Sequence, residues 1–126
     1  MDIERPKNTK HKGFVEFFIY PEGKRFVGVC LTFDIVEEHK DPNKLRESLH
    51  RAALLHFKVV VENNLPDALL NRYAPQEYWE KYFAYLDALS REANRTGVLS
   101  KSAVSTVQTL GISEFRRSHM PALANA

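Results

Sequence analysis

Cysteine is almost missing from this chain: Cys30 is the only one in 126 residues, which excludes an intramolecular disulfide and a thiolate zinc cluster. A lone thiol acts as a nucleophile only when a neighbour lowers its pKa, and nothing near Cys30 in sequence does so, so it is expected to be a small core hydrophobe. The few glycines are scattered as Gly13, Gly23, Gly28, Gly97 and Gly111, so there is no glycine-rich phosphate loop and nucleotide binding by the common motifs is excluded. No apolar run approaches the roughly 20 residues of a membrane helix. The opening MDIERPKNTKHK also lacks the apolar core of a signal peptide. With no disulfide framework, the expectation is a soluble cytoplasmic protein with no membrane partner. An excess of one charge is missing too: 18 Lys and Arg against 16 Asp and Glu leave a formal charge of +2. That is well short of the clustered basic excess seen where phosphate contacts dominate, so nucleic acid is permitted but not indicated.

What the chain does have is enough apolar content to fold. Hydrophobic residues make up 44% and charged residues 27%, and the length suits one modest core. Residues 1–13 are polar and charged, with Pro6 and Gly13 as breakers, and read as a flexible basic arm. GFVEFFIY then reads as a strand, PEGK as a turn and KRFVGVCL as the returning strand, with FDIVEEHK as a third. Successive side chains of a strand point to opposite faces. Phe14, Glu16, Phe18 and Tyr20 therefore share one face and Val15, Phe17 and Ile19 the other, and both faces are largely apolar. A sheet apolar on both sides needs two covers. Gly28, inside the second strand, has no side chain to pack and marks either a bulge or a close backbone approach.

One cover follows at once. Asp41 as cap and Pro42 in the first turn open a long helix reading DPNKLRESLHRAALLHFKVVVEN. Its apolar stripe is Leu45, Leu49, Ala52, Ala53, His56 and Val60, while Leu54, Phe57 and Val61 fall off that stripe and imply a second packing partner. PQEYWEKYFAYLDALSREANR forms a second helix between Pro75 and Gly97, with a wide aromatic face of Tyr78, Trp79, Tyr82 and Phe83. The remainder is rich in Ser, Thr and Ala and reads as a weakly structured tail with one short helix near residues 102–110. The fold class is α+β: a three-stranded antiparallel meander packed on a long helix, followed by an aromatic-rich helix and an irregular C-terminal tail. The single domain spans residues 14–97 and the tail residues 98–126.

Catalytic groupings do not emerge. His50 and His56 lie six residues apart, about 120° around a helix axis, whereas paired ligands on one helix need spacings of three or four. His56 on the apolar stripe reads as a core histidine held by one hydrogen bond, and His39 after Glu37 and Glu38 as part of a solvated loop. Carboxylates are spread beside basic partners, as on exposed helix faces. No enzyme, cofactor or metal is expected. TLGISEFRR resembles a helix-turn-helix corner, but Pro121 would cut short any recognition helix after it.

The succession of KRFVGVCLTFDIV, a short loop and DPNKLRESLHRAALLHFK resembles the HicB-like antitoxin family. In that family a hairpin leads through a Cys-Pro-Glu-Leu-like segment, here CLTFDI with Leu31 in place of the proline, into a helix of the kind LRESLHRAALLHF. The likeness covers residues 14–64. It implies a degenerate double-stranded-RNA-binding-like fold without catalysis, which self-associates and blocks a HicA-type RNA-cleaving toxin.

The resulting expectation is a non-enzymatic protein-interaction module, an antitoxin or orphan relative, that forms a homo-oligomer and masks a partner protein. Its contact residues would be Phe17, Ile19, Leu54, Phe57, Val61, Tyr78, Trp79 and Tyr82. The alternative is a nucleic-acid-binding transcriptional regulator that uses the basic arm and Arg116 and Arg117. A third reading, an RNA-cleaving enzyme, would need His50 or His56.

Overall fold

The computed structural model describes residues 7–97 and 106–119. Strand β1 (Phe14–Glu22) pairs antiparallel with β2 (Arg25–Cys30), and β2 with β3 (Ile35–His39). Helix α1 (Pro42–Glu62), a 3-10 turn (Asp67–Leu70) and helix α2 (Gln76–Thr96) follow. The described chain ends with strand β4 (Val107–Gly111) and helix α3 (Ile112–His119). The sheet runs β3-β2-β1-β4 with antiparallel neighbours throughout. The α+β meander on a long helix is therefore present, extended by a fourth strand.

The first hairpin is tighter than PEGK suggests. Pro21 and Glu22 are strand residues opposite Phe26 and Arg25, leaving Gly23 and Lys24 as a two-residue loop. Gly23 at φ 62° supplies the positive φ that such a loop needs at its first position. Both helix starts are where the sequence puts them. The Asp41 side chain accepts from the Asn43 N–H at 2.9 Å ahead of Pro42, and α2 begins after Pro75 and ends at Gly97.

The two apolar faces of the sheet are both covered. On one, Val15, Phe17 and Cys30 meet Leu49, Ala53, Phe57 and Val60 of α1 together with Ile112 and Phe115 of α3. On the other, Phe18, Val27, Val29 and Leu31 meet Trp79 and Tyr82 of α2. The Phe18 and Tyr82 rings form a T-shaped pair with centroids 5.7 Å apart, and the Lys81 ammonium sits 5.0 Å over the Tyr20 ring, which tie α2 to β1 at two points. Of the two readings of Gly28, the close approach holds: its pairing with Ile19 is regular, and a Cβ placed there would lie 3.0 Å from Leu45 Cγ, so the missing side chain sets how near α1 comes to the sheet.

Two segment assignments are corrected. Residues 102–105 lie outside the described ones, and Val107 to Leu110 form a strand rather than a helix, because the free edge of β1 offers a row of backbone groups that a β-branched segment can satisfy. Residues 7–13, read as a flexible arm, are tied to the domain at Asn8 and Lys10, while Lys7, Thr9, His11 and Lys12 are exposed. Asn8 is 4% exposed, and its side chain bonds the Phe14 N–H at 2.8 Å, the Phe14 carbonyl at 2.9 Å and the Leu70 carbonyl at 3.0 Å. Asn71 returns the contact, accepting from the Asn8 N–H and donating to its carbonyl, while Lys10 pairs with Asp67 at 2.7 Å.

Candidate interaction surfaces

The residues expected to meet a partner are largely used inside the chain. Phe17, Ile19, Phe57, Trp79 and Tyr82 are buried. Phe57, read as off the stripe, belongs to it: it continues the i+4 ladder of Leu49 and Ala53, and its ring forms a T-shaped pair with that of Phe115, centroids 5.6 Å apart. Leu54 and Val61 are half-buried against the same cluster, and Tyr78 against the α2 cluster. The wide aromatic face of α2 is the sheet's second cover.

The apolar side chains left exposed are others. Leu55 is 61% exposed and Val59 42%, one turn apart on α1. Ser48 shares their flank within about 40° around the helix axis, and its hydroxyl donates to Glu37 of β3 at 2.6 Å. The Leu55–Val59 ridge therefore faces the side of the molecule where β3 forms the sheet edge. Helical spacing alone carried this signal, since Leu55 lies across the helix from the Leu45–Phe57 stripe. Val36 of β3 and Phe14 at the start of β1 are also exposed.

A second surface is basic. The Ile112 N–H donates to the Gly13 carbonyl at 2.8 Å, and a nitrogen of the Arg116 guanidinium donates to the Lys10 carbonyl at 3.2 Å. These bonds bring His11 against Ser113, Arg116 and Arg117, around a cleft of about 240 Å³. The arm and the two arginines are distant in sequence yet adjacent here. Arg116 is buried and Arg117 exposed. A larger hollow of about 430 Å³ lies between Lys7, Asn8, Thr9, Asp67, Ala68, Asn71 and Tyr73.

The groups able to do chemistry are otherwise occupied. Burial pushes the Cys30 thiol up to about 12, and backbone donors at Phe33 and Thr32 offset only part of that, so the thiolate is scarce at neutral pH. His56, read as a core histidine, is half-buried, and a ring nitrogen lies 2.6 Å from the Leu69 carbonyl. His39 accepts from the Asp41 N–H at 2.8 Å, and the His50 ring lies 4.4 Å from that of Phe17. Among the described residues there is no group of three or more His, Cys, Asp or Glu placed to hold a metal ion, and no helix long and apolar enough to cross a membrane. Compared with protein-family models, curated proteins and solved structures, the chain finds no match.

Proposed function

We propose that this chain is a non-enzymatic protein-interaction module that self-associates through the Leu55–Val59 flank of α1. The observation that carries the reading is that pair of exposed aliphatic side chains, one turn apart beside the sheet edge, where most other large apolar groups among the described residues are covered. The buried, high-pKa Cys30 and the internally bonded His56 support the absence of catalysis. Resemblance to HicB-like antitoxins over residues 14–64 supports the choice of a masking role, with a HicA-type toxin or another protein as partner.

The magnitude limits the kind of association. Withdrawing both side chains from water contributes roughly 2 kcal/mol per copy, whereas association costs about 4 kcal/mol or more in lost translational and rotational freedom. The ridge can be the centre of an interface but not the whole of it, so the expected oligomer is weak and reversible. Size-exclusion chromatography with light scattering over a wide concentration range tests this. The apparent mass should rise with concentration, and the double substitution Leu55→Lys and Val59→Lys should hold the protein as a monomer. A monomer at every concentration refutes self-association.

A further inference from the structure

We propose that β3 is a pairing edge: two copies of this chain join their β3 strands antiparallel about a two-fold axis at Val36, turning two four-stranded sheets into one of eight strands. This arrangement rests on the self-association reading and supplies the surface that the Leu55–Val59 ridge lacks, since the ridge alone is too small to hold a dimer. Among the described residues β3 pairs only with β2, so its outer side carries a row of backbone donors and acceptors. Of the four large apolar side chains exposed among the described residues, three border this edge. Leu55 and Val59 lie on the flank of α1 beside it. Val36 shares the opposite face with its cross-strand partner Val29, the face that α2 covers, and is 41% exposed.

Charge selects the register. An axis through Glu37 or Glu38 would set that carboxylate directly opposite its own copy, which is destabilising. Axes at the strand's ends, Ile35 or His39, leave almost nothing to pair. An axis through Val36 opposes two valines and places Glu37 against Ile35 of the second copy, while Asp34, which would otherwise face Glu38 of that copy, leaves the strand at φ 58°. The same axis suits α1. Leu45 packs over Gly28 of β2 and the Ser48 hydroxyl bonds Glu37 of β3 at 2.6 Å, so the helix lies over the β2–β3 seam. Two such helices on a continuous sheet stand about 10 Å apart, two strand spacings, which is a packing distance for helices. They run antiparallel, and their facing flanks are charge-complementary: Lys44 and Glu62 are 18 residues, five turns, apart and share one angle beside the ridge. Only an antiparallel second copy sets Lys44 opposite Glu62, once at each end of the contact. That pairing is centred beyond Ser48 toward His56, whose ring lies 4.9 Å from that of Phe33, and Val36 lies beyond Glu37 in the same direction, so one axis serves both layers.

Oxidative cross-linking of Val36→Cys tests the arrangement. The native Cys30 is fully buried, and directly opposed residues of an antiparallel pair bring their Cβ atoms to about 4.5–5.5 Å, a small adjustment from a disulfide. At concentrations where light scattering shows association, Val36→Cys should give a covalent dimer on a non-reducing gel. Phe14→Cys, at a more exposed position beside β4, should give none. Adding Leu55→Lys and Val59→Lys should abolish the cross-link. Lys44→Glu and Glu62→Lys should each weaken the dimer about fivefold, and the double exchange should restore it, because opposite charges then face each other again. Val36, Lys44 and Glu62 are exposed, so the variants should fold, which unchanged circular dichroism checks. Association that persists without the Val36 cross-link would overturn the proposal, leave self-association standing and free β3 for an extended strand of another protein. A double exchange no tighter than the single ones would overturn it as well. A monomer at every concentration overturns both readings.

Discussion

Replacing Gly28 with alanine isolates the contact that sets the distance between α1 and the sheet. The new Cβ would lie 3.0, 3.1 and 3.2 Å from the three outer carbons of Leu45, where carbon atoms prefer about 3.5–4.0 Å. Leu45 is 1% exposed, so either its rotamer or the whole of α1 must give. Overpacking of this kind costs about 1–3 kcal/mol, while removing a glycine from a strand returns about 0.5–1 kcal/mol. Gly28→Ala should therefore destabilise by about 1 kcal/mol, a fall in Tm of about 4 °C for a chain of this size. The sign should reverse when the obstacle is removed. In a Leu45→Ala background, itself costing about 2–5 kcal/mol, Gly28→Ala should be neutral or stabilising, because the added methyl then enters a cavity. Urea denaturation followed by the fluorescence of Trp79, the chain's single tryptophan and 1% exposed, reads all four proteins of the cycle. An equal cost of Gly28→Ala in both backgrounds would refute the close-contact explanation.

Two further outcomes follow from the core and the arm. Because burial raises the Cys30 thiol, its neutral form is favoured by folding, so this contribution is intact below the ordinary thiol range and is lost as pH rises toward about 12. By pH 10 the loss should be about 2 kcal/mol relative to an ordinary thiol. Stability measured between pH 8 and pH 10 should therefore fall less steeply for Cys30→Ala than for the parent, and equal slopes would contradict the buried-thiol account. Asn8→Ala removes three hydrogen bonds and leaves the Leu70 carbonyl without that donor, which should cost about 2–3 kcal/mol in urea denaturation. A loss within 0.5 kcal/mol, the usual range for a surface site, would show that residues 7–13 are not part of the folded unit.

Local rules carried the sequence reading a long way. Asp41, Pro42, Pro75 and Gly97 punctuate both long helices where capping chemistry requires, and the period-two pattern separated Val15 and Phe17 from Phe18 and Tyr20 correctly. The elements that the sequence does not announce are those whose shape depends on a distant partner. Val107 to Gly111 has no alternation strong enough to announce a strand, and becomes one because β1 has an unpaired edge. Phe57 lies one ladder outside the stripe that Leu45, Leu49 and Ala52 define, and its companion Phe115 is on a segment that reads as irregular. Leu55 and Val59 belong to no motif, and only their place on the helix circumference sets them apart. Asn8 is a polar residue in a charged stretch, and only its bonds to Phe14 and Leu70 reveal it as a clamp.

The same long-range closure decides how firmly the basic corner is held. Pairing β4 with β1 joins segments about 90 residues apart, which costs about 4 kcal/mol of loop-closure entropy. Against this stand Ile112 and Phe115, both essentially buried, contributing about 2 kcal/mol each or somewhat more, and the backbone bonds to β1 and Gly13. The terms are of similar size, so the β4–α3 unit should open more readily than the meander and α1, whose contacts are closer in sequence. His11 reaches the cleft from one side of that closure and Arg116 and Arg117 from the other. A ligand that bridges them is bound only by the closed form, and must therefore stabilise β4 and α3 before it stabilises anything else in the molecule.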